Sequence, residues 1–245
     1  MTDVKIMATS DWHNTEIDSL VPYAEKCDAV VIAGDFMPEK NRKTSLWLDN
    51  EFKCWCESVR KPVLVIAGNH DAYLRDADHK VDWASNVTYL RDDEASFLGL
   101  RVYGTPWSHW HGGKQRSRVP GLFEVATEDL REKFSRIPEG LDILIAHAPP
   151  KLSREEVRAL GLQKFSDGSS VLRKAIDEKK PRLVICGHVH DNDHTPFEIN
   201  GTRVVCVSRV YNDKRRCEAK FGPCMITFKS DVAIEFEVIA GGKNK

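Results

Sequence analysis

The sequence has no long hydrophobic run and no segment typical of a secretory signal peptide. No stretch approaches the roughly 18 apolar residues that a membrane-spanning helix needs. From Met1 the chain passes at once into a strand-like segment, Val4 to Thr9, without the basic and apolar regions of a secretory signal peptide. These two absences predict a cytoplasmic protein without a membrane anchor.

An excess of positive charge and a cysteine framework are missing as well. Lys and Arg number 36 against 37 Asp and Glu, a formal net charge of -1. A dedicated nucleic-acid-binding protein carries a strong positive field, so any contact with a nucleic acid would have to use a local patch. The seven cysteines are scattered and lack the paired C-x-x-C spacing of zinc sites, which favours reduced structural thiols.

Short apolar runs alternate with amphipathic segments over the first three quarters of the chain. The runs are rich in Val and Ile and continuous, as in strands buried on both faces of an α/β sheet: Val4 to Thr9, Ala29 to Ala33, Val63 to Ala67, Ile143 to Ala146 and Leu183 to Cys186. Helical periodicity occurs in Glu16 to Lys26, Ser45 to Val59 and Ser169 to Glu178. This alternation predicts an α/β fold built from crossover units.

The last quarter reads as short strands separated by turn residues. The strand-like runs are Phe197 to Ile199, Arg203 to Ser208, Met225 to Phe228 and Ala233 to Ile239. Turn signals such as Asn200-Gly201 between them predict an antiparallel meander. No repeat or long linker divides the chain, so we predict one domain over residues 1–245.

Each of the five continuous runs is followed at once by side chains that can bind a metal. The endings are Ser10-Asp11-Trp12-His13, Gly34-Asp35, Gly68-Asn69-His70-Asp71, His147-Ala148 and Gly187-His188-Val189-His190. Alone, each has an ordinary structural explanation, such as a helix cap or a turn. Ligands in open α/β sheets collect at the carboxyl ends of the strands, so the five endings together predict one site.

The residue types in this set favour divalent cations. Carboxylates, imidazoles and an amide oxygen suit Mn²⁺, Fe or Zn²⁺, and the set includes no thiolate. We predict seven ligands, which exceed the needs of one cation: Asp11, His13, Asp35, Asn69, His147, His188 and His190. Two ions about 3.5 to 4 Å apart would use them all and would promote displacement at phosphorus.

The ordered set Asp-x-His, Gly-Asp, Gly-Asn-His-Asp, His and Gly-His-x-His resembles the calcineurin-like metallophosphoesterases. The resemblance extends from Val4 to His190 and implies a four-layer α/β/β/α sandwich with mixed sheets. It also implies two metal sites, one formed by Asp11, His13 and His190 and the other by Asn69, His147 and His188, with Asp35 shared by both.

The same resemblance implies catalytic roles. A metal-bridging hydroxide is the expected nucleophile, Asn69 stabilises charge, and His70 is the expected general acid, with Asp71 placed to orient the His70 ring. Phe36 follows Asp35 where protein serine/threonine phosphatases have an Asp-Arg-Gly signature, which argues against protein dephosphorylation. The set is more similar to class III cyclic-nucleotide phosphodiesterases and to metallophosphoesterase-domain proteins.

The segment from Trp107 to Arg118 combines aromatic, histidine and basic residues. One hypothesis is a substrate loop in which Trp107 or Trp110 stacks on a base and Arg116 or Arg118 binds a phosphate. The alternative is a solvated loop whose tryptophans pack on the sheet rim. Further along the chain, His194 is expected to lie in an exposed turn, and the alternative is a position that supports the metal ligands.

We therefore predict a metal-dependent phosphodiesterase that hydrolyses a small phosphodiester, such as a cyclic nucleotide, with two divalent ions. Mn²⁺ is the first choice of metal, and Fe or Zn²⁺ are alternatives. A phosphomonoesterase or a nuclease on the same centre is a second hypothesis. A noncatalytic binding scaffold of the same fold is a third, which the complete ligand set disfavours.

Overall fold

The computed structural model of this protein describes residues 2–13, 17–38, 44–109, 123–162, 165–166, 168–190, 193–213, 216–219, 221–230 and 233–240. Trp110, Arg116 and Arg118 of the predicted substrate loop lie outside these described residues. Within the described part, no helix has both the length and the apolar composition needed to cross a membrane.

Two six-stranded sheets form the centre of the described structure. The first has the order β16-β15-β1-β2-β3-β4 and the second has the order β11-β12-β10-β9-β6-β5. The strands in chain order are β1 (Val4–Thr9), β2 (Ala29–Ala33), β3 (Val63–Ile66), β4 (Val87–Tyr89), β5 (Asp93–Phe97), β6 (Leu100–Thr105), β7 (Ser108–His109), β8 (Glu124–Val125), β9 (Ile143–Ala146), β10 (Leu183–Cys186), β11 (Phe197–Ile199), β12 (Thr202–Cys206), β13 (Val210–Asp213), β14 (Arg216–Ala219), β15 (Phe221–Phe228) and β16 (Ile234–Ala240).

Both sheets place parallel strands in the middle. Strands β1 to β4 are parallel, and β15 joins β1 antiparallel. In the second sheet β6, β9, β10 and β12 are parallel, with β5 and β11 antiparallel at the two edges. The five predicted continuous strands are all central, and β2, β3, β9 and β10 are buried along their whole length. This confirms the inference from their Val and Ile content.

Helices cover the outer face of each sheet. They are α1 (Val21–Ala24), α2 (Thr44–Trp47), α3 (Lys53–Val59), α4 (Ala72–Ala77), α5 (Thr127–Ser135), α6 (Arg154–Leu160) and α7 (Ser170–Lys179). A π turn over Leu48–Phe52 connects α2 to α3, so the predicted helix over Ser45 to Val59 is present with an irregular centre. Short 3-10 helices occupy Ile17–Leu20 and Asp78–Lys80.

Successive strand residues divide the core into two clusters. Ile6 and Ala8 belong to a cluster that draws on strands of both sheets, whereas Met7 belongs to one shared with helical residues such as Phe52 and Leu172. The period of two in a strand explains this division, because neighbouring side chains point to opposite faces. The result is the predicted four-layer α/β/β/α sandwich with mixed sheets.

The predicted C-terminal meander is wrong. Strands β11 and β12 pair with each other in the second sheet, while β15 and β16 pair in the first. Between them β13 and β14 form a separate hairpin. Turn residues identify neighbouring hairpin strands but carry no information on which sheet a hairpin joins, and this explains the error.

Candidate metal centre

Five loops meet at the carboxyl ends of the central strands. They follow β1, β2 and β3 in the first sheet and β9 and β10 in the second. Within the second sheet, the Gly187 N–H donates to the His147 carbonyl at 2.9 Å. Between the sheets, the Ser10 N–H donates to the Val207 carbonyl at 3.1 Å. The parallel strands thus bring together residues from distant parts of the chain.

Two groups of metal-ligand side chains occupy this edge. In each group the ligand atoms all lie within 4.8 Å of one another, and the groups are Asp11, His13, His190 and Asp35, His147, His188. In the first group the Nε2 atom of His190 lies 3.2 Å from Nε2 of His13 and 3.3 Å from Oδ1 of Asp11. Asp11 and His13 are buried, and His190 is half-buried.

Asn69 completes the second group. Its Oδ1 atom lies 3.0 Å from Nε2 of His147 and 2.8 Å from Nδ1 of His188. Oδ2 of Asp35 lies 3.3 Å from Nε2 of His147 and 4.0 Å from Nε2 of His13, which places this carboxylate between the two groups. All seven residues that the sequence predicts as ligands are therefore close together.

The donor set fits a cation. Nδ1 of His147 faces the Ala33 carbonyl at 2.9 Å and carries the proton there, so the lone pair of Nε2 faces Asp35 and Asn69. In the neutral form of the ring, which a bound cation would require, three lone-pair-bearing atoms thus converge on one point. Burial lowers the pKa of His147, but the negative charge of Asp35 outweighs this effect and raises the pKa to about 10. The field that retains a proton at this point would also attract a divalent cation.

The protonation states of Asp35 and His188 also suit a divalent cation. Burial would raise the pKa of the Asp35 carboxyl, but the charge of His147 lowers it well below its usual range, so the carboxylate stays ionised. Burial, helped by the charge of His147, lowers the pKa of His188 to about 4, which leaves its imidazole neutral. Ionised carboxylates and neutral imidazoles are the forms that bind metals.

Four of the proposed ligands have left-handed backbones. The φ angles are 54° at Asp11, 51° at His13, 50° at Asp35 and 69° at His188. Such angles are uncommon for residues other than glycine and cost on the order of 1 to 3 kcal/mol each. Strain of this size persists only where contacts with the surrounding structure hold the backbone in place, and such strained residues concentrate at functional sites.

Hydrogen bonds fix the carboxylates of the site. Oδ2 of Asp11 accepts from the Ser10 hydroxyl at 2.6 Å and from the His188 N–H at 2.9 Å. Oδ1 of Asp35 accepts from the His70 N–H at 2.7 Å. Ser10 is not among the site residues that the sequence predicts. The available signal was its position, a polar residue between a buried strand and the ligand Asp11.

Asp71 and His70 differ in environment. Asp71 is buried, and its two oxygens accept from the backbone N–H groups of Gly68 and Met37 at 2.8 and 2.9 Å. These bonds tie together the loops after β2 and β3, and the predicted role of Asp71 in orienting the His70 ring stays a prediction. His70 itself is exposed, with its ring edge-to-face against His13 at a centroid distance of 5.0 Å.

The structure contradicts base stacking by Trp107. This side chain is 5% exposed, its Nε1–H donates to Asp92 at 2.6 Å, and Lys133 lies 3.6 Å from its ring centroid. Phe123 packs against the same ring. Trp107 therefore has the packing role that the alternative hypothesis gave it. His194, expected in an exposed turn, is fully buried, and its Nε2 donates to the Ser208 carbonyl at 2.8 Å.

Comparison with known proteins places the chain among phosphoesterases. The sequence pattern of the calcineurin-like phosphoesterase family matches residues 4–192. Metallophosphoesterase domain-containing protein 1 of Homo sapiens is 29% identical over 219 residues, covering 76% of this chain and 60% of that protein, and the Mus musculus protein gives the same values. The chain thus spans about 60% of the length of these curated relatives.

Solved structures share the fold. The protein TT1561 of Thermus thermophilus superimposes with a TM-score of 0.67 over 97% of this chain and 99% of its own, at 15% identity. The phosphopantetheinyl hydrolase of Mycobacterium tuberculosis gives a TM-score of 0.51 over 83% of this chain and 88% of its own, at 17% identity. The family match and the paired ligand groups agree, and the chain belongs to the calcineurin-like phosphoesterase family.

Proposed function

We propose that this protein hydrolyses phosphodiesters with two divalent cations, of which Mn²⁺ is the first candidate and Fe or Zn²⁺ are alternatives. One observation carries the proposal. Seven lone-pair-bearing side chains from five strand ends converge in two groups, and a carboxylate oxygen of Asp35 faces both. Asp11, His13 and His190 would hold one ion, and Asn69, His147 and His188 would hold the other.

The two ions, when bound, supply a water of lowered pKa and positive charge that faces the phosphoryl oxygens. The protein supplies orientation. Ser10 and the His188 N–H hold the Asp11 carboxylate, and the Ala33 carbonyl holds the His147 ring with its Nε2 lone pair inward. These contacts fix the donors before a substrate arrives, which lowers the reorganisation that the reaction requires.

His70 is the proposed proton donor. Its backbone is fixed by the hydrogen bond to Asp35, while its side chain is exposed beside His13 at the open side of the centre. The alkoxide that leaves a phosphodiester needs a proton, and a ring N–H of His70 can supply it from this position. A small diester such as a cyclic nucleotide is the proposed substrate class, because the net charge of -1 provides no field for a polynucleotide.

The test compares bis(p-nitrophenyl) phosphate with p-nitrophenyl phosphate, using metal-stripped protein reloaded with Mn²⁺. We expect faster turnover of the diester. A second comparison uses 2′,3′-cyclic AMP, whose leaving group is an alkoxide. Here His70→Ala should lower kcat about 100- to 10,000-fold, with a smaller loss on the nitrophenyl esters, whose leaving group needs no proton.

The matched control is His79→Ala, which removes another exposed histidine outside the ligand loops. It should leave every rate unchanged. Preferential turnover of the monoester would replace the diesterase assignment with a phosphomonoesterase. A folded, Mn²⁺-loaded protein that cleaves neither ester nor the cyclic nucleotide would contradict the proposal and favour a binding scaffold.

A further inference from the structure

The turn that carries His188 has an unusual backbone. His188 has a φ of 69°, and the N–H of Val189 donates to the carbonyl of Gly187 at 2.8 Å. A hydrogen bond between residues i and i+2 around a residue of positive φ defines the rare, strained form of the γ-turn. This conformation directs Nδ1 of His188 to Oδ1 of Asn69 at 2.8 Å.

Strain of this kind needs external support. On the side of the metal centre, the N–H of His188 donates to both oxygens of Asp11, at 2.9 and 3.2 Å. The opposite side faces strand β12, which lies parallel to β10 and places Cys206 beside Cys186, directly below the turn. The support from this second side is therefore a side chain at the end of β12.

Cys206 contacts the carbonyls on both sides of His188. Its Sγ lies 3.4 Å from the Gly187 oxygen and 3.6 Å from the Val189 oxygen, and the residue is 1% exposed. One thiol hydrogen can be shared between these two acceptors. A thiol is a weak donor, but in a buried environment of low polarity the loss of a donor leaves carbonyl groups less well satisfied.

We propose that Cys206 is a positioning residue for His188, and through it for the ion that Asp35, His147 and His188 would hold. The inference rests on the proposed function. With the thiol donor present, the Gly187 and Val189 carbonyls stay turned toward β12, and the γ-turn keeps the His188 ring aimed at Asn69. Without that donor the turn relaxes, and the imidazole no longer meets the geometry of its group.

The experiment measures Mn²⁺ binding to metal-stripped protein. Cys206→Val keeps an apolar side chain of similar size but removes the donor, and Cys206→Ser restores a donor. The control is Cys224→Val, which changes a fully buried cysteine of β15 in the other sheet. We expect Cys206→Val to raise one of the two dissociation constants about tenfold, as is usual when a contact that orients a ligand is lost, and to leave the other unchanged.

The serine variant and the Cys224→Val control should both retain wild-type binding. A second readout uses metal-free protein: the ¹⁵N signals of the His188 ring should shift in Cys206→Val and stay near their wild-type positions in Cys206→Ser. Cys206→Ala provides the same comparison if the valine variant does not fold.

Three outcomes overturn the inference. Identical Mn²⁺ affinities for the wild type and Cys206→Val would show that the thiol does not position His188. Equal weakening by Cys206→Val and Cys206→Ser would assign the effect to packing rather than to the donor. A folded wild-type protein that binds neither Mn²⁺ nor, in parallel titrations, Fe²⁺ or Zn²⁺ would overturn the proposed function itself, and this inference with it.

Discussion

Among single residues, the metal centre requires a glycine at position 68 as well as the side chains that would bind the metals. Gly68 has no side chain, and a Cβ there would collide with the Asp35 carboxylate and lie 2.6 Å from Cε1 of His147. The loops after β2 and β3 can approach each other only because this position is glycine. The sequence motif Gly-Asn-His-Asp includes this glycine, but the side chains that it makes room for become apparent only in the tertiary structure.

Gly68→Ala should therefore disrupt the centre. The new methyl group must displace Asp35 or His147, and misplacement of a catalytic group by about 1 Å costs on the order of 100-fold in rate. We expect a loss of that size in diesterase kcat/KM together with weaker Mn²⁺ binding by titration. Gly161→Ala is the control, because nothing lies within 4 Å of its Cβ position. Because Gly161 has a left-handed φ of 71°, Gly161→Ala should lower the free energy of unfolding by about 1 kcal/mol, with no effect on Mn²⁺ binding. Wild-type kinetics for Gly68→Ala would contradict the proposed need for a glycine in this loop.

Among the secondary-structure elements, the strands that precede the site residues could be predicted from the sequence. The pairing of the C-terminal strands within the two sheets could not. The five continuous Val and Ile runs are all central strands, since burial on both faces selects such residues independently of neighbours. Sheet membership depends on long-range pairing. The C-terminal hairpins were consequently assigned to one meander although β12 and β15 lie in different sheets.

The environments of the ligand side chains could likewise be predicted from the sequence, whereas those of Trp107 and His194 could not. The ligands could be predicted because each stands directly after a predicted strand, and strand ends converge by the geometry of parallel sheets. Trp107 and His194 belong to loops whose course is set by tertiary contacts with Lys133, Asp92 and Ser208. No local pattern in the sequence encodes those contacts, so the sequence leaves base stacking and packing open as alternatives at Trp107 and wrongly predicts exposure at His194, which is buried.

Helices α6 and α7 offer a test of electrostatics away from the metal centre. Glu156 closes the capping box of α6 with Ser153 and forms an ion pair with Arg173 of α7 at 3.0 Å. The hydrogen bond from Arg173 lowers the pKa of Glu156 to about 2. Because the folded-state pKa is depressed, the ionised form stabilises the fold above the ordinary pKa of about 4.3, and this contribution disappears as the pH falls toward 2.

Glu156→Gln should thus lower the free energy of unfolding at pH 7 by about 0.5 to 1 kcal/mol, a size appropriate to a largely solvated pair. Glutamine can still complete the capping box, so the variant reports the charge alone. The difference from wild type, measured by urea denaturation, should shrink between pH 4.5 and pH 2. Glu155→Gln, an exposed neighbour, is the control. A difference that is the same at pH 7 and pH 2.5 would contradict the role of the ion pair.

In the whole molecule, the two sheets have a similar arrangement of strands. Each has parallel strands at its centre and antiparallel strands at an edge, and their inner faces share one hydrophobic cluster that includes Ile66, Leu90 and Ile145. The shared cluster holds the carboxyl ends of β1 to β3 next to those of β9 and β10. A single domain over residues 1–245 is consistent with this core and stays a prediction, as do the cytoplasmic location and the choice of Mn²⁺.

The centre itself is a product of both sheets. Asp11, Asp35 and Asn69 follow strands of the first sheet, while His147, His188 and His190 follow strands of the second. Neither sheet alone assembles either group of ligands. We therefore propose that the packed sheets create a pair of cation sites that share Asp35.

Titration of metal-stripped protein with Mn²⁺, followed by electron paramagnetic resonance, measures how many ions these sites bind and whether the two ions are coupled. The wild type should bind two ions per chain with the spectrum of an exchange-coupled pair. Asp35→Asn, which removes the shared charge and keeps the shape, should bind at most one ion and lose the coupled spectrum. Asp142→Asn, which alters a carboxylate paired with Arg182, should behave as the wild type. A wild type that binds neither Mn²⁺ nor, in parallel titrations, Fe²⁺ or Zn²⁺, or an Asp35→Asn variant that still binds a coupled pair, would contradict the proposed pair of sites.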